Sequence, residues 1–250
     1  MKFAFSSPTN TKAELDTLFY DYRKLGYEGL QLKHAQFAPY IQKPTQFLEK
    51  WGEIEGVASA LITGGNLDDE NQQQLRSVFD FASKVGTERI VFCHGIPRNQ
   101  VSNDDIIHFA NLLSELGREA TEQYGVRLSL HHHYDQPVMH REDFDLFFEH
   151  VKGNSVCLTV DTAHLIKSGI TNISEVVYSF KDRIDNFHMK DIEEGEWKVL
   201  GEGSIDFTPV FQSIKEIDYK GWVSADEESE GDLKRGMEVC YNFMKTGLSR

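Results

Sequence analysis

Four clusters of acid and imidazole side chains stand at the ends of short apolar runs in this 250-residue chain. His131-His132-His133 follows Leu128-Ser129-Leu130, and Asp161-Thr162-Ala163-His164 follows Val156 to Val160. His188-Met189-Lys190-Asp191 comes after Ile184, and Asp226-Glu227-Glu228 comes after Trp222 to Ala225. The chain between successive clusters is long enough for one helix and two loops. Imidazoles and carboxylates converging from successive strand ends would bind one divalent cation and leave positions open for water or substrate. This mixture of nitrogen and oxygen suits Mn, Co, Fe or Zn better than Mg or Ca.

Positioning these groups requires strands whose ends meet. Apolar runs rich in β-branched and aromatic residues recur at 2–6, 29–33, 56–61, 89–93, 127–131, 156–161, 184–190 and 222–226. Between them lie segments of helical periodicity. In one of these, Ile106, Phe109, Ala110, Leu113, Leu116 and Ala120 share a face behind an N-cap at Asn103 or Asp104. Other helices are expected over 12–24, 44–51, 67–84, 141–150, 173–180, 208–217 and 232–244. Eight strand-helix units in about 250 residues match a closed (β/α)8 barrel, an α/β fold, here one domain over 1–250. A doubly wound open sheet lacks its Gly-rich turn, since no GxGxxG follows a strand.

Side-chain alternation tests the candidates. In the fifth strand Val126, Leu128 and Leu130 take the helix side, which turns Ser129, His131 and His133 inward. Thr159 and Asp161 face in by the same rule, as do Asn186, His188 and Lys190, while Val223 and Ala225 select Asp226 over Glu227. His131, Asp161, His188 and Asp226 are therefore the expected metal ligands at the C-terminal mouth. Each alone would read equally well as a polar strand end; their agreement favours a site.

Composition narrows the class. A net charge of −14 opposes a nucleic-acid groove, which needs clustered Lys and Arg. Cys93, Cys157 and Cys240 form no close pair, so a reducing cytoplasm is the expected location. Neither a signal core nor a membrane span is evident, and a homo-oligomer is left open.

At these residues the chain resembles the xylose isomerase-like TIM-barrel superfamily, whose members include sugar isomerases, ketose 3-epimerases, inosose dehydratases and the endonuclease IV branch. Asp161-Thr162-Ala163-His164 matches D-T-[GA]-H, and His188-Met189-Lys190-Asp191 matches H-x-K-D. Leu200 to Phe207 is similar to L-G-x-G-x-[IV]-D-[FW], and Tyr219-Lys220-Gly221-Trp222 precedes the last strand. The resemblance implies a metal shell of Glu, Asp, His and Glu. This chain departs at both ends, with His131 for the first glutamate and Asp226 for the last, and it carries Gln31 where many members have Glu. The Leu-His-His-His run looks like the H-x-H variant of the inosose dehydratase-like branch.

What the resemblance implies, then, is a metal-dependent isomerase or epimerase acting on a small sugar, sugar phosphate or polyol ketone by proton abstraction next to a carbonyl. The alternatives are an inosose dehydratase-like lyase and a sugar-binding barrel without catalysis. His133, Lys190 and Asp226 are the candidates for proton transfer and charge stabilisation. His164, with His133 and Lys190, is expected to touch substrate. Asp191 is expected to orient a ligand or cap the following loop, and His132 to face the helices.

Overall fold

The computed structural model describes residues 1–249. In chain order its elements are β1 (Lys2–Ser6), α1 (Lys12–Leu25), β2 (Gly29–Lys33), α2 (His34–Phe37), α3 (Pro44–Trp51), β3 (Ala60–Gly65), α4 (Asp69–Val85) and β4 (Arg89–His94). There follow α5 (Asn103–Tyr124), β5 (Arg127–His131), α6 (Arg141–His150), β6 (Cys157–Asp161), α7 (Thr162–Lys167), α8 (Ile173–Ser179) and β7 (Ile184–Met189). The last are β8 (Asp191–Glu193), β9 (Glu196–Lys198), α9 (Phe207–Glu216), β10 (Trp222–Asp226) and α10 (Leu233–Leu248). Eight parallel strands close in the order β1-β10-β7-β6-β5-β4-β3-β2, the expected α/β TIM barrel, and β8 and β9 form a separate antiparallel hairpin.

The helix-facing side of the strands carries the apolar core. Leu30, Leu61, Ile90, Leu128, Leu130, Leu158, Val160, Phe187 and Val223 are buried there against the helices. Helix ends follow local chemistry: Thr11 and Glu14 close a capping box on α1, and Ser102 with Asp105 does the same on α5. The α5 cap therefore sits one residue before the expected Asn103.

The inner side is unusually polar for a barrel, where branched aliphatic residues normally fill the layers. Ser6, Gln31, Arg89, Ser129, Thr159, Asn186 and Ser224 are all buried. Two departures from simple alternation matter. First, β3 begins at Ala60 rather than Gly56, because 56–59 form the entry turn. There Gly56 sits at φ +77°, and a Cβ on it would lie 2.0 Å from the Glu28 carbonyl oxygen. Second, β7 bulges against β6: Leu158 pairs with Ile184 but Thr159 pairs with Asn186. Asp185 is left unopposed, and its carboxylate reaches Ser129 inside the barrel. The strand also ends at Met189 and not Lys190, because the Lys190 backbone exchanges hydrogen bonds with the Thr162 hydroxyl.

Candidate functional site

The four candidate ligands come from the C-terminal ends of β5, β6, β7 and β10 and are buried together. Oδ2 of Asp161 lies 3.4 Å from Nε2 of His131 and 4.0 Å from Nδ1 of His188. Nδ1 of His188 is in turn 3.9 Å from Oδ2 of Asp226. Among the described residues, no hydrogen-bond partner serves Nε2 of His131, Oδ2 of Asp161 or Nδ1 of His188. Buried polar atoms are ordinarily paired. Three are left unpaired beside one another here, two imidazole nitrogens and a carboxylate oxygen, and Asp161, His188 and Asp226 bring their ligand atoms close enough together to hold a divalent cation. Asp161, His131 and His164 form a second overlapping group.

The surroundings hold these atoms in place. The other oxygen of Asp161 accepts from the backbone N–H of His164 at 2.9 Å as the N-cap of α7, so the short D-T-A-H turn fixes the carboxylate. The Asp161 backbone N–H donates to Nε2 of His132 at 2.9 Å. His132 packs on Phe144 of α6, on the helix side as expected, and so orients the Asp161 backbone from behind. His131 has its Nδ1 3.3 Å from Cys93 Sγ, and His188 has its Nε2 2.8 Å from Oε1 of Gln31.

The electrostatics are those of an almost closed charge cluster. Burial opposes a charge on His131, yet Cys93 and Asp161 beside it lift it to about 10, a proton that a bound cation would displace. Burial brings His188 down to about 3 and His132 to about 3. Asp226 is held well below the usual carboxylate range; burial works against this, but Lys33 and Lys190 override it. Lys33 Nζ is 2.6 Å from Oδ1 of Asp226 and 2.7 Å from Glu228, while Lys190 Nζ is 3.3 Å from Oδ2 of Asp226 and also meets Glu228. Both lysines are pushed up by these acids against the effect of burial.

His133 and His164 lie beside this centre with ring centroids 3.6 Å apart. His133 Nδ1 lies 2.7 Å from the Tyr134 carbonyl oxygen, which can only accept, so its Nε2 carries a lone pair. Burial and neighbouring His131 bring His133 down to about 4. Trp197, from the β8–β9 hairpin, stands 5.0 Å from His164 and 4.5 Å from the Lys190 ammonium. A cavity of about 610 Å3 opens over Ser7, Asn10, Glu14, Trp197, Glu227 and Glu228.

Other residues lie away from this centre, and some within it were missed by the sequence reading. Trp222 sits at the opposite end of the barrel, where its Nε1 donates to Glu88 at 2.9 Å. Phe92 packs towards α5, and Glu202 pairs with Arg235 on the surface. Asp191 organises a loop: its carboxylate accepts from Ile192, Gly201, Gly203 and Ile205. Lys33, Cys93 and Trp197 were not singled out. Lys33 shares the inward phase of Gln31 and was findable by alternation; the other two were not.

The fold and these strand-end residues define a xylose isomerase-like TIM barrel, and the model of that family matches residues 19–243, so the chain belongs to it. Among curated relatives it is similar to an inosose dehydratase of Clostridium botulinum (strain Alaska E43 / Type E3), 28% identical over 204 residues that span 69% of this chain and 68% of the relative. A second inosose dehydratase, from Clostridium botulinum (strain Eklund 17B / Type B), is 25% identical over 245 residues, 87% of this chain and 76% of the relative. Among solved structures, an L-ribulose 3-epimerase superposes with a TM-score of 0.80 at 17% identity over 99% of this chain and 94% of that one. The IolI protein, solved with a zinc atom, gives 0.77 at 18% over 100% and 98%. At these identities the structural likenesses speak for the fold. No helix among the described residues is long and apolar enough to cross a membrane.

Proposed function

We propose that this protein is a divalent-metal-dependent dehydratase acting on a small, uncharged polyhydroxy ketone of the inosose kind. Sequence reasoning put an isomerase or epimerase first and the lyase second. The observation that reverses the order is Asp226, whose two oxygens are both engaged by ammonium groups, Lys33 on one and Lys190 on the other. Epimerisation needs a proton acceptor on each face of one carbon. With His131 and a doubly paired Asp226 in place of the two glutamates, that pair of free carboxylates is missing. The inosose dehydratases among the curated relatives favour the same reading.

Elimination asks less of the site. The C–H bond next to the ketone breaks, its electron pair becomes a C=C bond, and the C–O bond at the next carbon breaks so that hydroxide leaves, protonated, as water. No oxidant is consumed. His131, Asp161, His188 and one oxygen of Asp226 would hold the cation, which supplies Lewis-acid polarisation of the ketone. His133, neutral and with Nε2 bare, takes the proton from carbon. Lys190, kept protonated by Asp226 and Glu228, stabilises the developing oxyanion and donates to the departing hydroxyl. His164 and Trp197 line the substrate. Lys33 and Lys190 are already compensated and the cavity rim carries Glu14, Glu227 and Glu228, which favours an uncharged substrate over a phosphorylated one.

The test is incubation of metal-loaded protein with inososes and ketoses in deuterated water, read by mass spectrometry. The expected product is lighter by one water. Deuterium uptake with inversion and no loss of water would instead establish an epimerase, and binding without exchange would establish a non-catalytic sugar-binding barrel.

A further inference from the structure

Behind the ligands, a chain of buried polar side chains crosses the barrel interior from the end where the strands begin to the site. It starts at Asp185, the bulged residue of β7. Arg89 anchors it, with Nε 3.3 Å from Oδ2 and Nη1 donating to the Asp185 backbone carbonyl at 3.0 Å. Ser129 Oγ lies 2.8 Å from Oδ1 of Asp185 and 2.8 Å from the Thr159 hydroxyl. Asn186 Nδ2 lies 3.4 Å from Thr159 Oγ1 and 3.1 Å from Oε1 of Gln31, and Gln31 Nε2 returns a bond of 2.7 Å to Oδ1 of Asn186. Oε1 of Gln31 meets Nε2 of His188 at 2.8 Å.

The sense of each link follows from the first. An ionised carboxylate only accepts, so the Ser129 proton points to Asp185. Ser129 must then accept from Thr159, and Thr159, its proton spent, must accept from the amide nitrogen of Asn186. That orients the Asn186 amide, which orients the Gln31 amide, whose oxygen faces His188. An oxygen there requires the proton of His188 to sit on Nε2. Gln31, Ser129, Thr159, Asn186 and His188 are each no more than 1% exposed, so water does not compete for these positions. If the chain ran the other way, both amides would turn over together, Gln31 would donate to Nε2, and the proton would move to Nδ1.

We propose that Asp185 sets the direction of this chain and thereby the tautomer of His188, keeping Nδ1 bare where it faces Asp161 and Asp226. Asp185, Ser129, Thr159, Asn186 and Gln31 are positioning residues, acting through His188 without touching the reaction. That the bare Nδ1 serves a cation rests on the metal reading above; the tautomer itself does not. The bulge has a purpose in this account: regular alternation would turn Asp185 towards the helices, away from Ser129.

The measurement is long-range 1H–15N correlation spectroscopy on metal-free protein with 15N-labelled histidine, His188 being assigned by its loss in His188→Gln, followed by zinc titration. Wild type is expected to show Nε2 protonated and Nδ1 bare. Asp185→Asn can donate as well as accept, so part of the His188 population should shift to bare Nε2, with zinc affinity falling about ten- to a hundredfold, as expected for losing an outer partner of a ligand. Adding Gln31→Glu should restore a protonated Nε2, because a carboxylate at 31 can only accept. A purely structural role for Asp185 would not be rescued from β2. If Asp185→Asn fails to fold by circular dichroism, Ser129→Ala cuts the chain one link later and should mix the tautomers in the same way. Bare Nε2 in wild type, or a pure wild-type tautomer in the folded variants, overturns the proposal. A protonated Nε2 in wild type that binds no zinc would defeat the metal reading and leave the chain standing.

Discussion

Replacing Asp191 is the most direct test of how the loop after β7 is built. The side chain is fully buried and accepts four backbone N–H groups: Oδ1 takes Ile192 at 2.9 Å and Ile205 at 3.2 Å, and Oδ2 takes Gly201 and Gly203, each at 3.0 Å. One carboxylate thus ties the start of the β8–β9 hairpin to the segment that returns to α9. Gly203 is part of the design, because a Cβ there would sit 2.4 Å from Oδ1 of Asp191. Asp191→Ala strands all four donors. An unpaired buried donor costs about 1–3 kcal/mol, and the Gly201 and Gly203 groups, near the surface, recover part of that from water, so a total loss of about 3 kcal/mol is expected. Asp191→Asn keeps one accepting oxygen and presents an NH2 to the other two donors, so roughly half that loss is expected. Urea denaturation followed by circular dichroism measures both. The consequence reaches the site, because the freed hairpin carries Trp197 away from Lys190 and His164; turnover should fall while bound metal stays. An alanine variant within about 1 kcal/mol of wild type would refute the reasoning, since it would mean that the four bonds are replaced elsewhere.

Asp161→Ala or His188→Ala should abolish bound metal while leaving the barrel folded, and unchanged metal content by elemental analysis would contradict the assigned centre. Lys190→Met should leave metal content intact and lower kcat by at least about a hundredfold, the scale of removing one charge-stabilising donor; an effect confined to KM would place Lys190 in substrate binding only. His94, buried against Phe109, is lowered by burial from 6.5 to about 4. Its folded form resists protonation, so its contribution to stability is complete above pH 6.5 and is lost as pH falls from there to about 4. The loss amounts to about 3 kcal/mol by linkage. His132, His133 and His188 are lowered in the same direction, so His94→Leu should lessen the acid-side slope in urea midpoints without abolishing it, and an unchanged slope would show that His94 does not contribute.

Alternation along the strands made the candidate positions legible, because three of them sit two residues beyond an inward residue whose neighbours are aliphatic: Leu128 and Leu130 frame Ser129 before His131, Leu158 and Val160 frame Thr159 before Asp161, and Val223 and Ala225 frame Ser224 before Asp226. The same rule fails wherever the period of two is broken. At β7 the bulge inserts Asp185, so a residue that alternation assigns to the helix side becomes the interior anchor of Ser129 and Arg89. Nothing in Ile184-Asp185-Asn186 announces a bulge, since the signal lies in the pairing with β6 and not in the strand itself. Trp197 was hidden for a different reason. Its hairpin reads Glu193-Glu194-Gly195-Glu196, a solvated loop by composition, and only Asp191 closing on Gly201 and Gly203 folds it back over the mouth. Asp226 shows a third limit. Its place was readable, but its chemistry depends on Lys33, which arrives from the other side of the barrel seam across β1. A carboxylate at that strand end reads as a base; with an ammonium on each oxygen it is a fixed anion. The step from a residue's position to its role therefore ran through contacts between strands distant in sequence, and it is at that step that the reading moved from epimerisation to elimination.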